Sequence, residues 1–343
     1  MKWNFKIGLI ILVVNGMVAF NTAMAQDLHF SQSINAPLLT NPANTGFEPD
    51  ADWRAGINYR NQWSGVLNNP YKTMSAWADA QMFNNRFENA WMGAGLVLLK
   101  DVAGSGNLSS TKVYGSVAYH QLLGNNSLLS GGFGFGAVNK RIDITKLTFN
   151  TQWNGKFFDV TIPSNEAFNT SSVWYFDLNA GLNYSLFPSD NAYINGGFSV
   201  DHINMPSESF FSNDQADTKV PMRFNFFVNG SFKVNTQWII NPNVYFSSMS
   251  NSTEIVGGLS AQYNLSGDGS AQVIGGIYYR LKDAIIPMVG VTVSSITATV
   301  SYDATTSTLT SAGQSVGAYE LSVKKVGLFG DYGTNVKCPS VRF

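Results

Sequence analysis

The chain has 343 residues, 44% apolar and 13% charged, with a formal net charge of −1. A soluble globular domain is usually about 25% charged, so a richly ionic, solvated surface is excluded, and the near balance of signs excludes a polyanion-binding face as the main business. The single cysteine, Cys338, excludes an internal disulfide and any cysteine-clustered metal or iron–sulfur centre.

Residues 1–25 carry the marks of a secretory signal: Lys2 and Lys6, an apolar run from Ile7 to Val14 that resumes through Phe20, then Ala23-Met24-Ala25 ahead of Gln26. Cleavage there would leave 318 residues with 19 Lys/Arg and 22 Asp/Glu. No cysteine follows the cleavage point, so a lipoprotein anchor is not expected, and no later run of 18 apolar residues could cross a bilayer as a helix. Residues 26–50 lack alternation and contain Pro37, Pro42 and Pro49, which keeps them out of a strand. They are expected either to plug a lumen or to form an ordered periplasmic arm.

From residue 51 to 326 the chain alternates apolar and polar residues with period two, the signature of strands with one solvated and one apolar face. Fourteen segments are expected, at 52–60, 71–82, 91–100, 109–121, 127–138, 173–186, 191–202, 220–234, 236–247, 252–264, 270–281, 284–293, 295–303 and 314–326. The clearest places Trp174, Phe176, Leu178, Ala180, Leu182, Tyr184 and Leu186 on one face and Asp177, Asn179, Asn183 and Ser185 on the other.

Alternation alone does not say which face is inside. Three observations favour an all-β outer-membrane barrel of about 14 antiparallel strands over an exported soluble sandwich. Long connections, about 139–172, 203–219 and 304–313, fall on one side, as in porin-type barrels. Aromatics such as Trp174 and Tyr184 sit near the ends of apolar faces, ~25 Å apart along a tilted strand. The even count brings both termini to the periplasmic side, with residues 327–343 as a periplasmic tail.

In that reading the polar face lines the lumen. Its charges are Arg54, Arg60, Asp79, Lys112, Asp177, Asp201, Arg223, Lys233, Glu254, Arg280, Asp303, Glu320 and Lys324. Seven positive against six negative suggests neutralised pairs bracing the wall, since an unpaired buried charge is costly. The loop 139–172 carries Trp153, Phe157, Phe158 and Phe168, and 203–219 carries Phe210 and Phe211. Left uncovered they would form a partner-binding platform; turned inward they would cap the barrel.

His29, His120 and His202 are scattered without ligand spacing, so no metal site is expected. The glycines Gly131, Gly132, Gly134 and Gly136 lie within a strand with no helix behind them, so they relieve crowding or bend the wall and do not cradle a phosphate. No nucleophile elbow or Walker motif occurs; no enzyme activity, catalytic residue or cofactor is expected. Cys338 could pack at the barrel mouth, contact periplasmic components or pair between molecules.

Blocks of residues along the chain also resemble a known family. They begin with His29-Phe30-Ser31-Gln32, Asn35, Pro37, Asn41-Pro42-Ala43 and Thr45-Gly46. Tyr59-Arg60-Asn61-Gln62-Trp63, Asp101 with Ala103-Gly104 and Gly106, Lys146-Leu147-Thr148-Phe149 and Asp177-Leu178-Asn179-Ala180-Gly181-Leu182 follow. His202 with Asn204 and Pro206, Lys219 with Pro221 and Arg223, Tyr279-Arg280 with Lys282-Asp283-Ala284-Ile285-Ile286, and Ser301-Tyr302-Asp303 continue the order. Thr305-Thr306-Ser307, Glu320 and Cys338-Pro339 before Phe343 complete it. In this order and spacing the chain resembles the PorP/SprF family of Bacteroidetes outer-membrane proteins. It departs from the family at Leu28, where a proline is expected, and by two extra residues between Cys338 and Phe343.

The resemblance implies a barrel of the type IX secretion system, the machine that exports gliding adhesins and other surface proteins. It implies a partner bearing a C-terminal sorting domain, whose secretion or surface attachment the barrel supports, with secretion-system components as further partners. Membrane lipid and lipopolysaccharide would surround the barrel, and no nucleic acid is expected. The alternative is a FadL-like or porin-like channel for a small solute, since Asn41-Pro42-Ala43 is also similar to a FadL-type motif.

Overall fold

In the computed structural model of this protein, which describes residues 30–48, 51–87, 89–211, 218–307 and 317–329, the alternating segments are strands nearly where the period-two pattern puts them. Among the described residues there are fourteen. They are β1 (Trp53–Gln62), β2 (Tyr71–Phe87), β3 (Ala90–Ala103), β4 (Leu108–Leu122), β5 (Ser127–Arg141), β6 (Ser172–Ser189) and β7 (Ala192–Asp201). The second half is β8 (Arg223–Lys233), β9 (Trp238–Met249), β10 (Ser252–Asn264), β11 (Ala271–Arg280), β12 (Ala284–Val293), β13 (Ile296–Thr305) and β14 (Gly317–Gly327). Each pairs antiparallel with its neighbours in sequence, and β1 pairs with β14 from Trp53↔Gly327 to Gln62↔Ala318, so the sheet is a closed barrel. Closure leaves no edge of unpaired backbone groups, the condition for an extended chain in hydrocarbon.

The burial pattern is that of a soluble protein turned inside out. On β6 the outward Trp174 is 71% exposed and Leu182 60%, whereas Asp177 is fully buried and Asn183 2% exposed. The β8 strand repeats it, with Phe224 and Phe226 outward and Arg223 and Asn225 buried. No helix among the described residues is long and apolar enough to cross a membrane; the strands present the apolar band, and the chain is an outer-membrane barrel.

The connections separate the two ends. Where β1 finishes lie 63–70, 142–171, 202–222 and 306–316, whereas at the opposite end no connection is longer than the six residues 265–270. Long loops on one side and short turns on the other place the long loops at the cell exterior. The wall is also uneven in height: β2 to β6 run 14–18 residues, the other nine strands 10–13.

The lumen is not uniformly polar. From β8 to β12 the residues Phe227, Tyr245, Val256, Ile274, Tyr278, Ile286 and Met288 point inward as one apolar cluster. Apolar side chains packed side by side on adjacent strands need no hydrogen-bond partners, so they fill space that polar groups could fill only by pairing. The expected signal 1–25, His29, and Cys338 in the tail lie outside the described residues.

Because β6 presents Leu182 to lipid close to its midpoint, Leu182→Arg should destabilise the barrel by about 2–4 kcal/mol. Reversible urea unfolding in phospholipid vesicles measures this. A variant as stable as the parent would mean that this face does not meet hydrocarbon.

Candidate functional site

Two assemblies of polar and aromatic residues stand out, one in the lumen and one on the outer loops. The lumenal one is built on residues 30–48, which lie inside the barrel against β3 to β6. This segment is a chain of single turns: a 3-10 turn at Ser33–Asn35, α1 (Pro37–Thr40) and a second 3-10 turn at Pro42–Asn44. Pro37 and Pro42 each start a turn, where a missing N–H is not needed. Asn41 stands between the turns, fully buried, and its side chain caps the second by accepting from Ala43 N at 2.8 Å. Its Nδ2 donates to the wall carbonyls of Leu182 (3.0 Å) and Phe198 (3.2 Å). The Asn-Pro-Ala sequence is thus both a cap and a rivet.

The wall is shaped to receive it. A Cβ at Gly132 would lie 2.5 Å from Ala43 N, and one at Gly181 would overlap Asn41 Oδ1. Gly132 on β5 therefore permits the close approach of another backbone, and Gly181 on β6 that of the Asn41 side chain. Deeper in the lumen Thr45 Oγ1 donates to Ser116 Oγ at 2.8 Å and Gly46 N donates to Asp79 Oδ2 at 2.6 Å. His120, with no exposed surface, spans Ser130 Oγ and the Thr45 carbonyl, each at 2.8 Å.

The lumen charges fall into separate groups. At the outer end Arg60 pairs with Asp303 (2.8 Å) and Glu320 (3.3 Å), and Arg280 with Glu254 (2.8 Å) and Asp303 (3.0 Å). Ser31 is held at their centre: its Oγ donates to Asp303 Oδ2 at 2.7 Å and accepts from both guanidinium groups. The Glu320 carboxylate accepts from the backbone N–H of Ser31 (2.8 Å) and Gln32 (3.1 Å). Towards the periplasm Arg54 pairs with Asp79 (2.8 Å), and it donates to the Asn44 carbonyl. Burial alone would raise the Glu48 carboxyl there, but the Lys324 ammonium and then the Arg54 guanidinium outweigh it and hold it below the ordinary carboxylate range.

Asp177 is held instead by Tyr114 and by His202 Nδ1 at 2.9 Å, and Arg223 donates to Ser247 (2.7 Å) and Tyr245 (3.0 Å). Of the charges the sequence marked out, Arg54, Arg60, Asp79, Glu254, Arg280, Asp303, Glu320 and Lys324 are brought together in ion-paired groups; their tenants Ser31, Thr45, Gly46 and Asn44 carry no charge and no alternation, and the first three stand out only through the family blocks. Beside Asp177, His202 stands in a block that carries the family resemblance, whereas Tyr114 gave no signal. Among the described residues no group of three or more His, Cys, Asp or Glu is arranged to hold a metal.

On the outer loops the six aromatics marked by the sequence do not form one hydrophobic core. Trp153 and Phe158 face each other edge to face at 5.0 Å, and both are about half exposed, as is Phe157. Phe168 stacks on Phe211 at 4.7 Å and packs against Phe149 at 5.9 Å. The Phe168–Phe211 bridge joins the two longest loops, aided by Asn169 N donating to the Phe210 carbonyl (2.9 Å) and by Lys140–Glu208 (2.6 Å). The joined loops leave Trp153, Phe157, Phe158 and Phe211 at the surface.

Comparison with known proteins yields a family and a fold. The family model described as "Type IX secretion system membrane protein PorP/SprF" matches residues 22–324. No curated protein matches. Among solved structures the chain is similar to the toluene transporter TodX of Pseudomonas putida, with 11% identity, a TM-score of 0.52, and 89% of this chain and 99% of that one covered. It is similar in the same way to the toluene transporter TbuX of Ralstonia pickettii, with 12% identity, a TM-score of 0.50, and 89% and 96% covered. At such identities the likeness concerns the barrel fold alone.

The tightness of the lumenal contact supplies a test. Gly132→Leu adds a side chain where the backbone of Pro42–Ala43 already presses, an overpacking worth about 1–3 kcal/mol. It should loosen residues 31–47 without opening the sheet. Single-channel conductance in planar bilayers should rise above the parent's, and limited proteolysis should begin to cut the segment. Unchanged conductance and unchanged protection would show that these residues do not obstruct the lumen.

Proposed function

The chain belongs to the PorP/SprF family of type IX secretion system membrane proteins, and from that premise we propose that it is a docking barrel for a secreted surface protein. The partner is received through its C-terminal sorting domain on the platform made by loops 142–171 and 202–222, and the barrel supports its secretion or holds it at the surface. The observation that carries this reading is the joining of the two longest outer loops by the Phe168–Phe211 stack, which leaves four large aromatics open to solvent. Ordered aromatic side chains lose little entropy when a partner covers them, which is why they dominate binding hot spots.

A second reading, a conduit for a small solute, draws on the barrel likeness to the toluene transporters TodX and TbuX. The occupied lumen favours docking over conduction. Residues 30–48 cross the lumen from the Ser31 network at the outer end to the Arg54–Glu48 pair at the periplasmic end, the inward cluster from β8 to β12 occupies part of the other side, and a cavity of about 210 Å³ lies between the segment and β7 to β9. In this reading the segment is a plug, and the lumen charges brace it.

The test is affinity purification of the tagged protein from outer membranes, followed by mass spectrometry of its companions. A secreted protein with a C-terminal sorting domain should be enriched. The combined variant Trp153→Ala, Phe157→Ala, Phe158→Ala and Phe211→Ala should recover at least about tenfold less of it, the loss expected from removing one hot spot of ~1.4 kcal/mol or more. Equal recovery with parent and variant would remove the platform from the mechanism, and the absence of any secreted partner would remove the docking function itself.

A further inference from the structure

The outer wall has a feature that neither secretion nor the lumen uses. Between β14, β1, β2, β3 and β4 the lipid-facing surface sinks into an apolar groove of about 480 Å³, within the ~300–1,000 Å³ of ordinary ligand pockets. Its floor is Ala76, whose strand neighbours are Ile57 on β1 and Leu98 on β3. Met74, Val113 and Leu321 complete the sides. The small Ala76 between larger neighbours is what makes the wall concave here.

The groove has a charged upper rim. Lys100 lines it directly, and Lys72 lies one step further out on β2, two residues from Met74, which pairs with Lys100. Both are exposed and point away from the lumen. Among the described residues neither has a carboxylate partner. A third outward cation, Arg141, stands at the outer end of β5, two strands from β3 and so roughly 10 Å away laterally. On the outward faces of the described strands, the outer ends carry no other charge than these three. Free cations gathered on one sector of a membrane-facing wall, directly above an apolar groove, match a phosphate above an acyl chain.

We infer that this sector is a binding site for a phosphorylated glycolipid of the outer leaflet, of the lipopolysaccharide type. One acyl chain lies in the groove over Ala76, and the phosphate is held by Lys100 and Lys72, with Arg141 in reach of a second.

Native mass spectrometry of the full protein, released from detergent micelles doped with a known lipid, tests this. The probes are bisphosphorylated lipid A, the same lipid with its phosphates removed, and phosphatidylethanolamine. The parent should retain one bisphosphorylated lipid A and neither of the others to the same extent. Lys72→Gln with Lys100→Gln should raise the lipid concentration needed for half retention by about thirtyfold, about fivefold per cation. Ala76→Phe, which fills the groove and leaves the cations, should also weaken retention. Heat-modifiable migration on gels shows that each variant is folded. Equal retention of all three lipids, retention unaffected in either variant, or a mass showing a second copy of the chain on this face would overturn the inference.

Discussion

Hydrocarbon offers no partner to a backbone N–H or C=O, and the whole structure follows from that one constraint. A sheet can lie there only if its last strand finds its first, as β14 finds β1 over ten residue pairs. Closure in turn fixes the sense of the alternation. Once the membrane-facing side must be apolar, the period-two pattern sends the alternate, polar residues inward, and those that are buried must be satisfied by one another or by something brought into the lumen.

Residues 30–48 are what is brought in. Much of the satisfaction of inward groups runs through this segment: Glu320 through the N–H groups of Ser31 and Gln32, Asp79 through Gly46 N, and His120 through the Thr45 carbonyl. A buried ion pair adds little net stability compared with apolar packing, because desolvation offsets most of the attraction. Its value lies in directionality. Arg60, Arg280 and Asp303 come from three different strands and meet at the Ser31 hydroxyl, and Glu320 from a fourth accepts from the Ser31 backbone N–H, so only one placement of Ser31 serves them all. The glycines act in the same sense from the opposite wall, since Gly132 admits the Pro42–Ala43 backbone and Gly181 the Asn41 side chain at one height only.

How much of this was legible in the sequence depends on the range of the interaction. The strands were legible because period two is a local property, and β6 shows it without a break from Trp174 to Leu186. Inward charges were legible for the same reason. Their grouping was not, because Arg60 meets Glu320 only after the barrel closes, 260 residues apart in the chain. On β12 both faces are apolar, with Ile285 outward and Ile286 fully buried, so alternation of type gave no sign of the inward cluster. The loop aromatics were visible as a composition, but the stacking of Phe168 on Phe211 depends on where β6 and β8 deliver their loops.

The direction of the lumenal segment ties these parts together. It meets the wall first at the outer end, where Ser31 sits among the strand ends that carry Arg60, Arg280, Asp303 and Glu320, and it leaves past Glu48 at the periplasmic end to begin β1. The outer network therefore lies on the same side of the membrane as the aromatic platform, while the Asn41 rivet and the Arg54–Asp79 pair lie below it. Force or displacement applied at the outer mouth would meet charge-assisted bonds first and the glycine-seated turn second. Each layer is held by a different kind of contact. The ionic layer weakens when its partners are solvated, whereas the seat of the Pro42 turn against Gly132 on β5 yields only if the turn itself moves.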